Sequence, residues 1–292
     1  MIMNDGLKIM LDRTYDNSLG YTAPSQFKVG IDQATTVISN TDLTLPIPIT
    51  GTSQADNCET IGDWSESADG ADSLNSTDYK EGAGALNLIK SGVTQASVTY
   101  YNNNNMTSLD FTSKDLWVWL YIKDASTYAK LETTNCLQLR YGIDYDTNYY
   151  YLNYDKADLV VGWNALKMNT ASGTEQGAVT LNACDSGALV FTFTAAADTI
   201  NAGDIITDNW ILASVDDYLK NYDSITINES TFEAQRICYL NSLEAVGYNL
   251  SGIGDFNTDT PIKANSLFKY TNISKSITDE LKFYLISRLV RR

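Results

Sequence analysis

Aromatic rings and carboxylates carry whatever chemistry this sequence can do. Two segments concentrate the rings, LWVWLYIKD at 116–124 and NYYYLNY at 148–154, with Tyr100 and Tyr101 ahead of them. Successive side chains of a strand point to opposite faces. Trp117, Trp119 and Tyr121 therefore share one face of the first segment, and Leu116, Val118, Leu120 and Ile122 the other. In the second segment Tyr149, Tyr151 and Asn153 lie together, opposite Tyr150, Leu152 and Tyr154. Flat aromatic faces stack on sugar rings while nearby amides and carboxylates bond the hydroxyls. The loop 142–148 and the Asn102–Asn105 run offer such polar edges, which makes Trp117, Trp119, Tyr121, Tyr149 and Tyr151 ligand-binding candidates. The same spacing also suits a core or a subunit interface. Both faces of 116–122 are apolar, so this strand is either central and covered on both sides or lends its aromatic face to a groove.

Catalysis has little to work with. The chain contains no histidine, which removes Ser-His-Asp and Cys-His nucleophiles, His-ligated zinc and imidazole acid–base chemistry. A glycosidase needs two carboxylates roughly 5–10 Å apart across a cleft. Asp144, Asp146, Asp155 and Asp158 are available, but the sequence gives them no pairing and they read as solvated loop acids. Cys58, Cys136, Cys184 and Cys238 are widely separated, with no C-x-x-C pair. They are expected to be buried free thiols. The expectation is a binding protein, not an enzyme.

The elements that must position these residues are strands. Among 292 residues, 43% are hydrophobic and 19% charged, a globular balance with room for two domains. Tyrosine outnumbers phenylalanine 19 to 8 and proline is scarce at 4, which leans the chain towards β structure. The net charge of −16 repels phosphate backbones and argues against a nucleic-acid partner. No run approaches the roughly 18 apolar residues of a membrane span. The start, MIMNDGLKIMLDRTY, lacks the pattern of a secretory signal, so synthesis in a cytoplasm without standard export is expected. Residues 5–18 read as a short helix or an initial strand, followed by strand-like runs at 26–32, 35–39 and 43–49. Pro46 and Pro48 confine the last run to an edge or an extended arm. From about 56 to 215 the runs 116–124, 136–142, 148–154, 164–169, 187–194 and 209–214 alternate with polar turns, as in a jelly roll or related sandwich. Beyond 216 the strand texture again resembles the beginning. Arg288, Arg291 and Arg292 give a basic end that either docks an acidic neighbour or is a frayed terminus.

Ordered motifs at the two ends carry a resemblance. They are Gly6-Leu7-Lys8-Ile9-Met10-Leu11-Asp12, Pro24-Ser25-Gln26-Phe27-Lys28-Val29-Gly30 and Thr41-Asp42-Leu43-Thr44-Leu45. Later come Glu244-Ala245-Val246-Gly247, Phe256-Asn257, Leu267-Phe268, Ile273-Ser274-Lys275-Ser276 and Asp279-Glu280-Leu281-Lys282-Phe283. Together they resemble small β domains of tailed-bacteriophage virion proteins associated with tail fibres, collars, necks or baseplates. The middle carries Trp64, Tyr79-Lys80-Glu81-Gly82-Ala83-Gly84-Ala85-Leu86, Gly162-Trp163-Asn164 and Asp208-Asn209-Trp210. It resembles jelly-roll carbohydrate-binding modules.

These resemblances imply an all-β chain in which a discontinuous domain, 1–55 with 216–292, carries an inserted jelly-roll β-sandwich at 56–215. They imply a virion structural component that anchors through its termini, assembles as a homo-oligomer with other phage proteins and presents a lectin-like module to host surface glycans. A capsid decoration protein and a stand-alone carbohydrate-binding or polysaccharide-degrading protein are the alternatives. The module resemblance also implies a structural Ca²⁺ at Asp56 or Glu59, the carbonyls around Lys80 and Gly82, and Asp208, because Ca²⁺ takes six to eight oxygens from carboxylates and carbonyls.

Overall fold

Period-two alternation governs the middle of the chain. The computed structural model describes residues 24–31, 42–228, 233–258, 262, 264–276 and 278–288. The expectations for 5–18 and 35–39, and for the side chains of Arg288, Arg291 and Arg292, lie outside the described residues. The chain divides into two units, one formed by both ends, up to Gly51 and from Val215 onward, the other running from Thr52 to Ser214. The first unit opens with β1 (Gln26–Ile31) and β2 (Leu45–Pro46). The inserted unit holds β3 (Ser53–Asp56), β4 (Trp64–Glu66), β5 (Gly70–Asn75), β6 (Ala85–Lys90), β7 (Ser97–Asn102), β8 (Asp115–Ile122), β9 (Leu137–Asp144), β10 (Asn148–Tyr154), β11 (Gly162–Asn169), β12 (Thr174–Gln176), β13 (Ser186–Thr192) and β14 (Ile205–Ala213). The chain then returns to the first unit with β15 (Lys220–Asn221), β16 (Ser224–Asn228), β17 (Glu233–Leu240), β18 (Asn249–Phe256), β19 (Ala264–Ser274) and β20 (Leu281–Arg288). One short helix, α1 (Ala125–Ala129), stands among the described residues, capped by the Asp124 carboxylate on the Thr127 N–H.

The inserted unit is an antiparallel sandwich. Its front sheet runs β12-β10-β9-β13-β7-β4; its back sheet runs β11-β8-β14-β6-β5, with β3 added on β14. Leu137, Leu139 and Tyr141 of β9, Leu189 and Phe191 of β13, and Val98 and Tyr100 of β7 project inward from the front. They meet Leu116, Val118, Leu120 and Ile122 of β8 and Leu86 and Leu88 of β6. A bulge in β14, where register shifts between Asp208 and Ile211, places Asn209 in the left-handed region at φ 47°. The extra residue reverses the alternation, so Trp210 turns into the core beside Trp64, with ring centroids 5.7 Å apart. Asparagine tolerates that backbone where a branched residue would not. The run expected at 209–214 is thus the end of a longer strand.

In the terminal unit β1 pairs antiparallel with β18, from Gln26 opposite Phe256 to Gly30 opposite Gly252, so both ends of the chain meet in one sheet. That sheet runs β15-β1-β18-β19, with β2 on β1, and β16-β17-β20 form a second. Arg236 and Asp255, both buried, pair at 2.7 Å and join β17 to β18. Of the run 43–49, Leu45–Pro46 alone forms a strand. The prolines have no N–H to give; Ile47 N and Ile49 N donate instead, to Val29 O at 3.1 Å and Asp217 O at 2.7 Å. All four cysteines are free and buried. No helix among the described residues is long and apolar enough to cross a membrane.

Lys90, at the end of β6, has no exposed surface. Its ammonium donates to Gly92 O at 2.9 Å and to Ala196 O and Asp198 O at 2.7 Å each, acting as an internal cation that ties the 195–199 turn to the sandwich. Lys90→Met leaves three carbonyls without this donor. The substitution should cost roughly 2–5 kcal/mol, which thermal unfolding would register as a fall of about 5–15 °C. An unchanged melting temperature would mean the carbonyls do not depend on it.

Candidate glycan-binding face and acidic turn

The register of the front sheet lines up a row of side chains on its outer face. Tyr151 of β10 lies opposite Arg140 of β9, Arg140 opposite Ala188 of β13, Ala188 opposite Tyr101 of β7, and Tyr101 opposite Ser65 of β4. On the far side Thr174 of β12 stands opposite Tyr151. Strands are spaced about 4.8 Å apart, so Tyr151 and Tyr101 are separated by about 14 Å. Ala188, between Arg140 and Tyr101, has no exposed surface, so its larger neighbours in the row close over it. Tyr145, from the hairpin after β9, stacks on Tyr101 with centroids 3.8 Å apart and planes 6° from parallel. A second row follows, Asn153 opposite Gln138, with the Gln138 amide donating to Asn153 Oδ1 at 2.9 Å.

Arg140 is held on three sides. Its Nε donates to Gln138 Oε1 at 2.6 Å, one Nη donates to Tyr145 O at 3.0 Å, and the guanidinium lies 4.5 Å from the Tyr149 ring centroid. Tyr149, 8% exposed, supports the arginine from below; Tyr151, Tyr101 and Tyr145 are half-buried and present surface to solvent. Gly142 permits this crowding. A Cβ there would lie 2.3 Å from Asn148 O, at the register shift where β9 and β10 meet.

The five aromatic candidates do not form one site. Trp117, Trp119 and Tyr121 occupy the outer face of the back sheet, on β8 between β11 and β14. Trp117 is 2% and Trp119 7% exposed. The Lys167 ammonium lies 5.5 Å from the Trp117 ring and that of Lys80 4.8 Å from Trp119. Of the two readings left open for this strand, it is the central, covered one that the structure takes, and rings so covered cannot stack on a sugar. Trp163 packs against both Trp119 and Tyr121 at 6.3 and 5.2 Å. Sequence reasoning passed over Arg140, Gln138 and Tyr145. The alternation of Leu137, Leu139 and Tyr141 already turned Gln138 and Arg140 outward; pairing β9 with the tyrosine-rich β10 was the missing step.

The turn that covers the back sheet collects acids. Asp208 is fully buried, and its Oδ2 accepts the Lys80 N–H at 2.6 Å and the Glu81 N–H at 3.1 Å. Its Oδ1 is buried without a hydrogen-bond partner. Burial, with the Glu81 charge adding to it, pushes the carboxyl up to about 7 despite those two donors. Glu81 bonds the Asn209 amide and is itself raised, by burial and then by Glu59. Glu59 Oε1 accepts the Ala83 N–H at 2.6 Å. Gly82, at φ 71°, is needed there, since a Cβ would stand 1.9 Å from that same oxygen. Asp56 is differently occupied: its carboxylate takes the Cys58 N–H, the Trp64 indole N–H and the Asn102 amide, at 2.6–3.0 Å. Asp208 and Glu81 thus bring hard oxygen donors to this turn, one of them a buried oxygen without a hydrogen-bond partner, the donor type that calcium takes. Among the described residues no three carboxylate or thiol side chains converge as a metal cluster, so carbonyls and water would have to complete the shell.

Three of the four acids named for hydrolysis hold turns, and Asp146 gives its N–H to one of them. Asp144 Oδ1 accepts from Asp146 N, Thr147 N and Thr147 Oγ1; Asp155 Oδ1 accepts from Asn135 N; Asp158 Oδ2 accepts from Asp155 N.

No protein-family model matches this chain, and no curated protein does. Among solved structures, the inserted unit's neighbours include a family 11 carbohydrate-binding module of Clostridium thermocellum in complex with a β-1,3-1,4-mixed-linked tetrasaccharide, at 12% identity and a TM-score of 0.39, covering 56% of this chain and 96% of that one. The CBM22-2 xylan-binding domain of Paenibacillus barcinonensis Xyn10C matches at 9% identity and a TM-score of 0.31, covering 56% and 99%. An exo-β-agarase matches at 12% and 0.39, covering 56% of this chain and 25% of that one. At these identities and scores the likeness bears on neither ligand nor function.

Because the folded-state value of Asp208 lies above the ordinary carboxylate range, its contribution to stability is present at low pH and is lost as pH rises towards and through about 7. Asp208→Asn keeps an acceptor for both N–H groups and removes the charge. At pH 8 with chelator present, the variant should melt about 3–8 °C above the parent. A lower melting temperature would show that the carboxylate is compensated by something other than a cation.

Proposed function

We propose that the inserted sandwich binds glycans on the outer face of its front sheet and catalyses no reaction. The observation that carries this reading is the aligned row Tyr151–Arg140–Ala188–Tyr101, with Tyr145 stacked at its end. It supplies tyrosines on strands about 14 Å apart, with a cation and the Gln138 and Asn153 amides between and beside them. A span of that length suits an oligosaccharide segment better than a single sugar. In the same reading Ca²⁺ is held at Asp208 and Glu81, with the carbonyls around Lys80 and Gly82 and water completing the shell, and serves to hold the turn that covers the back sheet. Millimolar Ca²⁺ should raise the melting temperature of the parent and leave Asp208→Asn unmoved.

For the terminal unit we propose an anchoring role in a tailed-phage particle, in tail, collar, neck or baseplate, as a homo-oligomer alongside other virion proteins. Support comes from the ordered motifs at the two ends. The described part of the first supplies β1, and Leu281-Lys282-Phe283 opens β20. Immunogold labelling of particles separates the readings: tail-associated label supports this one, capsid-surface label favours a decoration protein, and no label favours a stand-alone module.

Affinity electrophoresis against a panel of soluble polysaccharides tests the glycan site. Tyr101→Ala and Tyr151→Ala should each weaken binding to the retarding polymer about tenfold, equivalent to about 1.4 kcal/mol, with unfolding temperature preserved. Retention of full affinity by both variants would remove the front face from consideration.

A further inference from the structure

Arg140 occupies a place that a neutral-sugar site does not require. We infer that the front face selects glycans whose sugars carry carboxylate groups, with Arg140 as the residue that reads the charge; this rests on the front face being a glycan site. Acidic side chains outnumber basic ones 36 to 20 in this chain. Lys28, Lys123, Lys167, Lys220 and Arg236 each pair with a carboxylate within 4.0 Å. Arg140, half-buried in the middle of the row, has no carboxylate partner among the described residues, and what holds it is neutral: an amide oxygen, a main-chain carbonyl and a tyrosine ring. Its neighbours in the row and the next are Tyr151, Ala188, Gln138 and Gly142, all uncharged. Asp144 is turned to the N–H groups of its own hairpin, and Glu175 to the Tyr150 hydroxyl and the Val179 N–H.

A guanidinium has five N–H donors in a planar fork. Two are committed, to Gln138 and Tyr145, and these two bonds with the Tyr149 ring fix the plane. Gln138 takes the Nε–H and with it the side-on fork, so the edge left to meet a carboxylate is the one formed by the two Nη groups. The chain's −16 charge repels anions at long range, but that field is screened beyond about 8 Å at physiological salt, whereas the arginine acts at contact. The flanking tyrosines stack on the rings of the same chain, so recognition combines sugar faces with one acidic substituent at the centre of the row.

The test compares polygalacturonate, alginate, hyaluronan and polysialic acid, each against its carboxyl-reduced form, by calorimetric titration of the full chain. At least one acidic polymer should bind about tenfold or more tightly than its reduced counterpart. Arg140→Gln should bring that ratio to within about twofold, and Arg140→Lys should fall between. Near-ultraviolet circular dichroism and unchanged melting would show that the variants fold. Equal or tighter binding of reduced polymers, or a ratio that Arg140→Gln leaves untouched, overturns the acidic preference while the glycan reading stands. Absence of binding to every polymer, acidic, reduced or neutral, overturns both.

Discussion

The burial of Leu137, Leu139 and Tyr141 is the constraint on which the candidate site depends. Each has no exposed surface, and each is worth roughly 1.5–3 kcal/mol in the core. In a strand with a period of two, seating them inward leaves Gln138 and Arg140 no choice but the outer face. A slip of one residue would drive a guanidinium into the core and strand three apolar side chains in water. β9 lies between β10 and β13 and is antiparallel to both, so the same register that fills the core also sets Tyr151 and Ala188 beside Arg140. The outer row is a consequence of the inner one.

The two faces of the sandwich are finished in opposite ways. Over the back sheet, the 79–84 turn is bonded down by Asp208, and Lys80 and Lys167 lie across the tryptophans. The bulge at Asn209 makes this possible, because it lets Asp208 face outward under the turn while Trp210, two residues on, enters the core. That closure shuts the Asp208 carboxyl away from water, and its raised pKa is the cost. The front sheet's central row is covered only in part: Ala188 is closed over, whereas Tyr151, Arg140, Tyr101 and Tyr145 keep some exposed surface. Its outer residues are half-buried by one another, which leaves aromatic and amide edges available at a defined spacing.

Much of the fold could be read from alternation. LWVWLYI and NYYYLNY announce strands with two distinguishable faces, and both appear as β8 and β10 with the expected partition. Apolar character on both faces of 116–122 correctly allowed a covered central strand, but composition could not say which of its two faces is shielded, since the shielding comes from Lys80 and Lys167, distant in sequence. Lone polar residues were harder. Arg140 gains meaning only from strand pairing, and Glu81 only from the bulge that brings β14 beneath its turn. Asp56 is an acid at a motif position whose oxygens accept from an indole, an amide and a main-chain N–H, partners that only the folded chain reveals. Two prolines limited the 43–49 run to a two-residue edge strand, as their missing donors require.

The most direct test of the account is a chemical-shift map of the isotope-labelled full chain, titrated with a tetrasaccharide prepared from whichever polysaccharide retards it most. The row set by the core register predicts that the perturbed resonances are those of Tyr101, Arg140, Tyr145, Tyr151 and Ala188, contiguous across β7, β13, β9 and β10. Perturbation confined to Tyr121, Trp163 and the 79–84 turn would place the ligand on the back sheet and contradict it.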